Sequence, residues 1–108
     1  MRFIVRGRAI DAPMAPPDQA LAAFKASFQM FSSGQLPGIK EVYPHADERA
    51  TTFLVEVETA EELSRLLSTI PGFWLSSWEA HPVTTVEEVL QELETAEQQM
   101  RQLAAGGT

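Results

Sequence analysis

The chain has 108 residues, of which 15 are acidic and 8 basic, for a formal net charge of −7. At roughly 100–200 residues per domain this is a single domain, and an acidic one, which argues against nucleic acid and against an anionic membrane surface, since both are bound through Lys and Arg. There is no Cys, which excludes a disulfide framework, a zinc-thiolate site and a cysteine nucleophile.

Hydrophobic residues make up 44% and charged residues 21%, an ordinary globular balance. No apolar run approaches the roughly 18 residues that a membrane span needs. Arg2, Arg6 and Arg8 interrupt the first apolar stretch, so it does not read as a signal peptide. A soluble cytoplasmic protein is the expectation, and a core this small makes self-association a natural supplement.

Arg2 to Ala9 alternates as a strand, with Phe3, Val5, Gly7 and Ala9 on one parity and Arg2, Ile4, Arg6 and Arg8 on the other. Asp11 to Pro17 holds three prolines and reads as a loop. A helix follows from about Pro16 to Ser33, with Leu21, Phe24, Phe28 and Phe31 at helical spacing. Gly34 suits the left-handed position that ends it. Ile39 to Tyr43 is a short strand, and Pro44 to Ala50 is a polar hairpin loop. Thr51 to Glu58 is the clearest strand, with Phe53, Val55 and Val57 alternating with Thr52, Leu54, Glu56 and Glu58.

Thr59-Ala60-Glu61-Glu62 matches a capping box, with Thr59 as N-cap. Leu63, Leu66, Leu67 and Ile70 form the stripe of a second helix, which Pro71-Gly72 stops. Phe73 to His81 is a fourth strand, closed by Pro82. A last helix spans about Thr85 to Ala104, with Val86, Val89 or Leu90, Leu93, Ala96 or Glu97, Met100 and Leu103 near a 3-4 spacing. Ala104 to Thr108 reads as a frayed tail.

The order strand, helix, strand, strand, helix, strand is the split βαβ, ferredoxin-like α+β arrangement. Both helices should cover one face of an antiparallel sheet. Parity places Phe3, Val5, Phe53, Val55, Val57, Trp74 and Trp78 under the helices. The opposite face carries Arg2, Ile4, Arg6, Arg8, Thr52, Leu54, Glu56, Glu58, Leu75, Ser77, Glu79 and His81. Its three large apolar residues predict a second subunit over that face, which makes a dimeric α+β barrel.

The segments Ser33-Gly34-Gln35-Leu36-Pro37, Phe53-Leu54-Val55-Glu56-Val57, Ala60-Glu61-Glu62-Leu63, Leu66-Leu67-Ser68-Thr69-Ile70-Pro71-Gly72-Phe73 and His81-Pro82-Val83 resemble, in order and spacing, the muconolactone isomerase-like group of small dimeric α+β barrels. The resemblance covers about Ser33 to Val83, with a weaker echo at the first strand. It implies a cofactor-independent reaction that needs neither a metal nor an organic cofactor, in which a proton moves within an unsaturated lactone acid and shifts its double bond. Such chemistry needs a base over an acidic carbon and a cation for the substrate carboxylate. The sequence departs from the enzymes after the first helix: their Trp-Pro-His-Leu-Trp-Arg stretch reads Leu36-Pro37-Gly38-Ile39-Lys40-Glu41 here. Of their Glu-Lys pair in the first helix only Lys25 remains.

Six residues are candidates for the site. Lys25 is either a solvated lysine or an anion clamp or base. His45, in the hairpin loop, is either a turn residue or the proton carrier, since a free imidazole titrates near neutrality. Arg6 and Glu56 are either cross-strand ion-pairing residues or, inside a covered barrel, a carboxylate clamp and a base. Trp74 and Trp78 are either core residues or the lining of a cavity for a flat, unsaturated ligand. His81 reads as structural. Two distant His with no ligand pattern make no metal site, and no glycine loop or nucleophile elbow supports nucleotide or serine chemistry.

The leading expectation is thus a homodimer or higher homo-oligomer that takes a small hydrophobic or unsaturated acid, as an isomerase if it is catalytic. A cofactor-free monooxygenase or cyclase on the same barrel, and a non-catalytic binding or assembly module, remain open alternatives.

Overall fold

A computed structural model describes residues 1–11 and 15–106. Four strands form one antiparallel sheet in the order β2-β3-β1-β4, with β1 Arg2–Ala9, β2 Ile39–Pro44, β3 Ala50–Glu56 and β4 Ser76–Val83. Helix α1 spans Pro17–Ser33, α2 Ala60–Ser68 and α3 Val86–Gly106. This is the ferredoxin-like order expected from the sequence, with the extra C-terminal helix. The expected loop from Asp11 to Pro17 falls partly on residues 12–14, and the expected tail partly on 107–108, outside the described residues.

The two central strands carry the alternation. Phe3 pairs with Val55 and Val5 with Phe53, all four buried. On the other face Arg2 sits opposite Glu56, Ile4 opposite Leu54, and Arg6 between Thr52 and Glu79. Beneath the sheet, Leu63, Leu67 and Ile70 join Phe3, Val5, Phe53 and Val55 in one core cluster. Helix α2 therefore closes the core. Its start is the expected cap: the Glu62 N–H donates to Thr59 Oγ1 at 3.1 Å, while the Glu62 carboxylate accepts from the Glu58 N–H at 2.7 Å. One orphan donor of the helix end is satisfied by Thr59, and the Glu62 carboxylate ties down the residue before the cap. Gly34 ends α1 at φ 70°, the left-handed region where a side chain would be strained.

Helix α1 behaves differently. Its only buried residues are Ala20 and Ser27. Phe31 packs edge-on against Phe53 of the sheet at 5.1 Å, while Leu21, Phe24 and Phe28 line a cavity between the rest of the helix and the sheet. A polar tie holds the helix to the rest of the fold: Ser27 Oγ accepts from the Gly72 N–H at 2.8 Å and donates to the Ala23 carbonyl.

The expected start of β4 is corrected. Phe73–Leu75 form a 3-10 turn, and the strand begins at Ser76. A turn with a period near three breaks two-residue parity, so Trp74 is 77% exposed while Leu75 is buried. Trp74 is not in the core, and Leu75 is not on the charged face. Pro82 does not close the strand, because it pairs opposite Phe3 within it. β4 is an edge strand, where Pro's missing N–H costs no sheet hydrogen bond. Helix α3 also runs two residues beyond its expected end, to Gly106.

Candidate functional site

The cavity between α1 and the sheet measures about 610 Å³, within the range of about 300–1,000 Å³ usual for small-ligand pockets. Phe24, Phe28 and Phe31 line it from the helix, and Phe53 and Trp78 from the sheet. Trp78 is fixed on several sides. Its ring stacks on Phe73 at 5.7 Å, its Nε1–H donates to the Phe73 carbonyl at 3.0 Å, and it lies over Gly7. The absent side chain at Gly7 makes room for the indole.

At one end the β2–β3 hairpin loop contributes His45, Glu48 and Arg49 to the lining. The loop is closed by the His45 N–H donating to the Ala50 carbonyl at 2.9 Å. Glu48 then turns back onto β1. One carboxylate oxygen accepts from Arg6 Nη2 and lies 3.1 Å from His45 Nδ1; the other accepts from Arg8 Nη2 at 2.6 Å. The Arg6 hydrogen bond, followed by that of His45, holds the Glu48 carboxyl down at about 2. The same partner raises the Arg6 guanidinium. Glu48 is thus an ionised carboxylate, which only accepts, so His45 carries its proton on Nδ1.

His45 Nε2 lies 2.6 Å from Thr52 Oγ1. A hydroxyl can donate to neutral Nε2 or accept from the protonated ring. Both ring nitrogens are thus occupied, Nδ1 by Glu48 and Nε2 by Thr52, which is not part of the cavity lining.

The six candidates separate. His45 and Trp78 line the cavity, and Arg6 reaches it only through Glu48. Glu56 pairs with Arg2 at 2.5 Å, four residues from Arg6 along β1, or about 13 Å. That bond holds its carboxyl below the usual range. Arg6 and Glu56 are therefore not brought together. Lys25 is exposed on α1 outside the lining, and Trp74 also points away from it. Among the described residues no cluster of His, Asp and Glu could hold a metal ion. No helix among them is long and apolar enough to cross a membrane.

Sequence reasoning passed over Glu48 and Arg49. Glu48 lies 42 and 40 positions from its arginines, so only the folded register joins them. Arg49 lines the cavity and makes no ion pair among the described residues. A cation three residues after Ala46, in a loop that also holds His45, was the available signal.

A four-stranded antiparallel sheet, with two helices on one face and a cavity beneath the first, defines the ferredoxin-like α+β class. Within that class, a solved structure of muconolactone isomerase matches with a TM-score of 0.65 at 17% identity, over 79% of this chain and 90% of that one. The likeness is one of fold. No protein-family model matches the sequence, and no curated protein matches it.

Proposed function

We propose that the protein binds a flat, unsaturated organic acid between α1 and the sheet and shifts a proton on it without a cofactor, as an isomerase. One observation carries this reading: His45 borders an aromatic cavity while its Nδ1 is held by a carboxylate that two arginines keep ionised. Glu48 fixes the ring's tautomer. Trp78 and the three α1 phenylalanines supply apolar faces for a conjugated ligand. Arg49, a cation of the lining that makes no ion pair among the described residues, receives the ligand's carboxylate. The fold likeness to muconolactone isomerase supports the same class of chemistry.

In the reaction, the His45 ring turns away from Thr52, which lies on the charged face and outside the cavity lining, and its freed Nε2 takes a proton from the carbon next to the conjugated system. The C–H electron pair moves into the π system as a dienolate. The imidazolium then returns the proton to a different carbon, so the double bond shifts with no net oxidation. Arg6 and Arg8 act through Glu48. A second copy of the chain covering the charged sheet face belongs to the same reading, since Ile4 and Leu54 lie there among the charges.

A second reading is binding without turnover. Both ring nitrogens of His45 are already engaged, by Glu48 and Thr52.

A panel of unsaturated lactone acids and aromatic acids, titrated against a Trp74→Phe variant, reads binding through Trp78 fluorescence. Incubation in deuterated water reads proton transfer as deuterium uptake at the shifted carbon. The isomerase reading expects uptake to fall about 10²–10⁴-fold in His45→Gln, with affinity kept. Binding without uptake selects the second reading. Oxygen consumption selects a cofactor-free monooxygenase, and absence of binding by the whole panel overturns the site.

A further inference from the structure

Helix α3 is 21 residues long, or about 32 Å, and none of its residues is buried. The molecule extends 72 Å in one direction and under 30 Å in the others. A helix standing alone in water is weakly stable, because most helical stability in proteins comes from packing an apolar face. Helix α3 has such a face. Leu93 is 55% exposed and Leu103 75% exposed, and Val86, Val89, Leu90 and Met100 are exposed beside them.

The pattern of that face says what covers it. Val86, Leu93 and Met100 stand seven apart, and so do Val89, Ala96 and Leu103, offset by three. This is a three-repeat heptad with apolar residues at every a and d position. A helix lying on a sheet or a globular core needs a stripe more than about 100° wide. A strict a/d seam is narrower and fits a second helix by knobs-into-holes packing. Leu90 and Ala104 add width only at its two ends, with Glu97 between them.

We infer that α3 pairs with α3 of a second copy of this chain, as an antiparallel two-stranded coiled coil. The seam is self-complementary about a two-fold axis, as an isologous contact requires. Antiparallel pairing sets Val86 of one copy against Leu103 of the other, Val89 against Met100, and Leu93 against Ala96. Each layer joins a smaller side chain to a larger one. Parallel pairing stacks Ala96 on Ala96, which leaves a gap, and brings Glu92 of one helix to Glu97 of the other. The antiparallel arrangement instead places Glu92 beside Gln99. It also lays the acidic half, with Glu87, Glu88, Glu92 and Glu94, along the half in which Glu97 is paired with Arg101, whereas parallel pairing sets the two acidic halves side by side. The opposed helix dipoles favour the same orientation. The contact is separate from the charged sheet face and from the cavity, so it stands whatever the cavity binds.

The absence of Cys makes the pairing directly testable in the full chain. Leu93→Cys and Ala96→Cys proteins, differently tagged, are mixed and oxidised. The expected result is an efficient mixed disulfide, with little product from either variant alone. Ala96→Cys linking to itself would indicate a parallel pair and overturn the orientation. In parallel, sedimentation velocity compares the native chain with Leu93→Glu/Met100→Glu. The charges sit on exposed positions, so the sheet domain stays folded, as the near-ultraviolet signal of Trp78 reports. The particle mass should fall by half. A native chain that sediments as one 11.9 kDa subunit, or a mass unchanged by the two charges, overturns the inference. So does a mass that falls by half without the mixed disulfide, because α3 then docks on another surface of the partner.

Discussion

The indole of Trp78 lies so close to Gly7 that a Cβ at position 7 would fall 2.7 Å from its Cζ3. The two residues sit opposite each other in β1 and β4, so the backbone of one strand is the seat for the side chain of the other. Gly7→Ala forces the ring off this seat, into Phe53 and Phe73, which both pack against it. Overpacking of this kind costs about 1–3 kcal/mol. Urea unfolding should show a lower midpoint with an unchanged slope. Since Gly7 and Trp78 both line the cavity, ligand affinity should fall as well.

Glu48 sets the acid response of the hairpin loop. Its carboxyl titrates at about 2 in the folded chain against an ordinary 4.5, because Arg6 and His45 hydrogen-bond the charged form. A carboxyl with a depressed folded pKa contributes stability that is fully present above its unfolded pKa and is lost as pH falls through its folded one. The native chain should therefore lose stability between about pH 4.5 and 2 more steeply than Glu48→Gln. The gap between them should close below that window. Unfolding midpoints measured across the acid range check this, and parallel curves for the two proteins would remove Glu48 from the account.

The faces of β1 and β3 were legible because a two-residue period is unambiguous when Phe3, Val5, Phe53 and Val55 alternate with charges. The start of α2 was legible because Thr59 and Glu62 act within one turn. Long-range partners were not. Glu48 reads as one more loop acid until the register of β1 against the hairpin puts Arg6 and Arg8 beside it. Trp74 was misplaced because the chain turns through Phe73–Leu75 before the strand begins, and alternation counted from Phe73 is then out of step. The α1 stripe was seen, but an apolar stripe does not reveal whether it touches the sheet. Here Phe31 reaches Phe53, whereas Phe24 lies against Gly72, beside the bond from Ser27, and Phe28 borders open cavity.

The Ser27 bond yields a third prediction. Ser27 is buried and is the acceptor for the Gly72 N–H. Ser27→Ala removes the acceptor and leaves a buried donor unsatisfied, at about 1–3 kcal/mol. Hydrogen exchange at the Gly72 amide should accelerate in the variant. An unchanged rate would show that the hydroxyl does not anchor α1.

Phe53 and Phe28 both line the cavity, yet they should respond in opposite ways to truncation. Phe53 is 1% exposed and packs on Phe31 and Trp78 within the core. Phe53→Ala should cost about 3–5 kcal/mol, a large part of the 5–15 kcal/mol that holds an ordinary domain folded. Phe28 is 41% exposed on the part of α1 that borders the cavity, and its one ring contact is with its helical neighbour Phe31. Its truncation opens no sealed void, so stability should change by about 1 kcal/mol or less. Its face toward the cavity is what a bound ligand would cover. Phe28→Ala should therefore weaken binding of a conjugated acid while leaving the unfolding midpoint nearly in place. Calorimetric titration and urea unfolding on the same two variants separate these effects. A Phe28 variant that unfolds as readily as the Phe53 variant would mean that α1 is packed down on the sheet and that no ligand space exists beneath it.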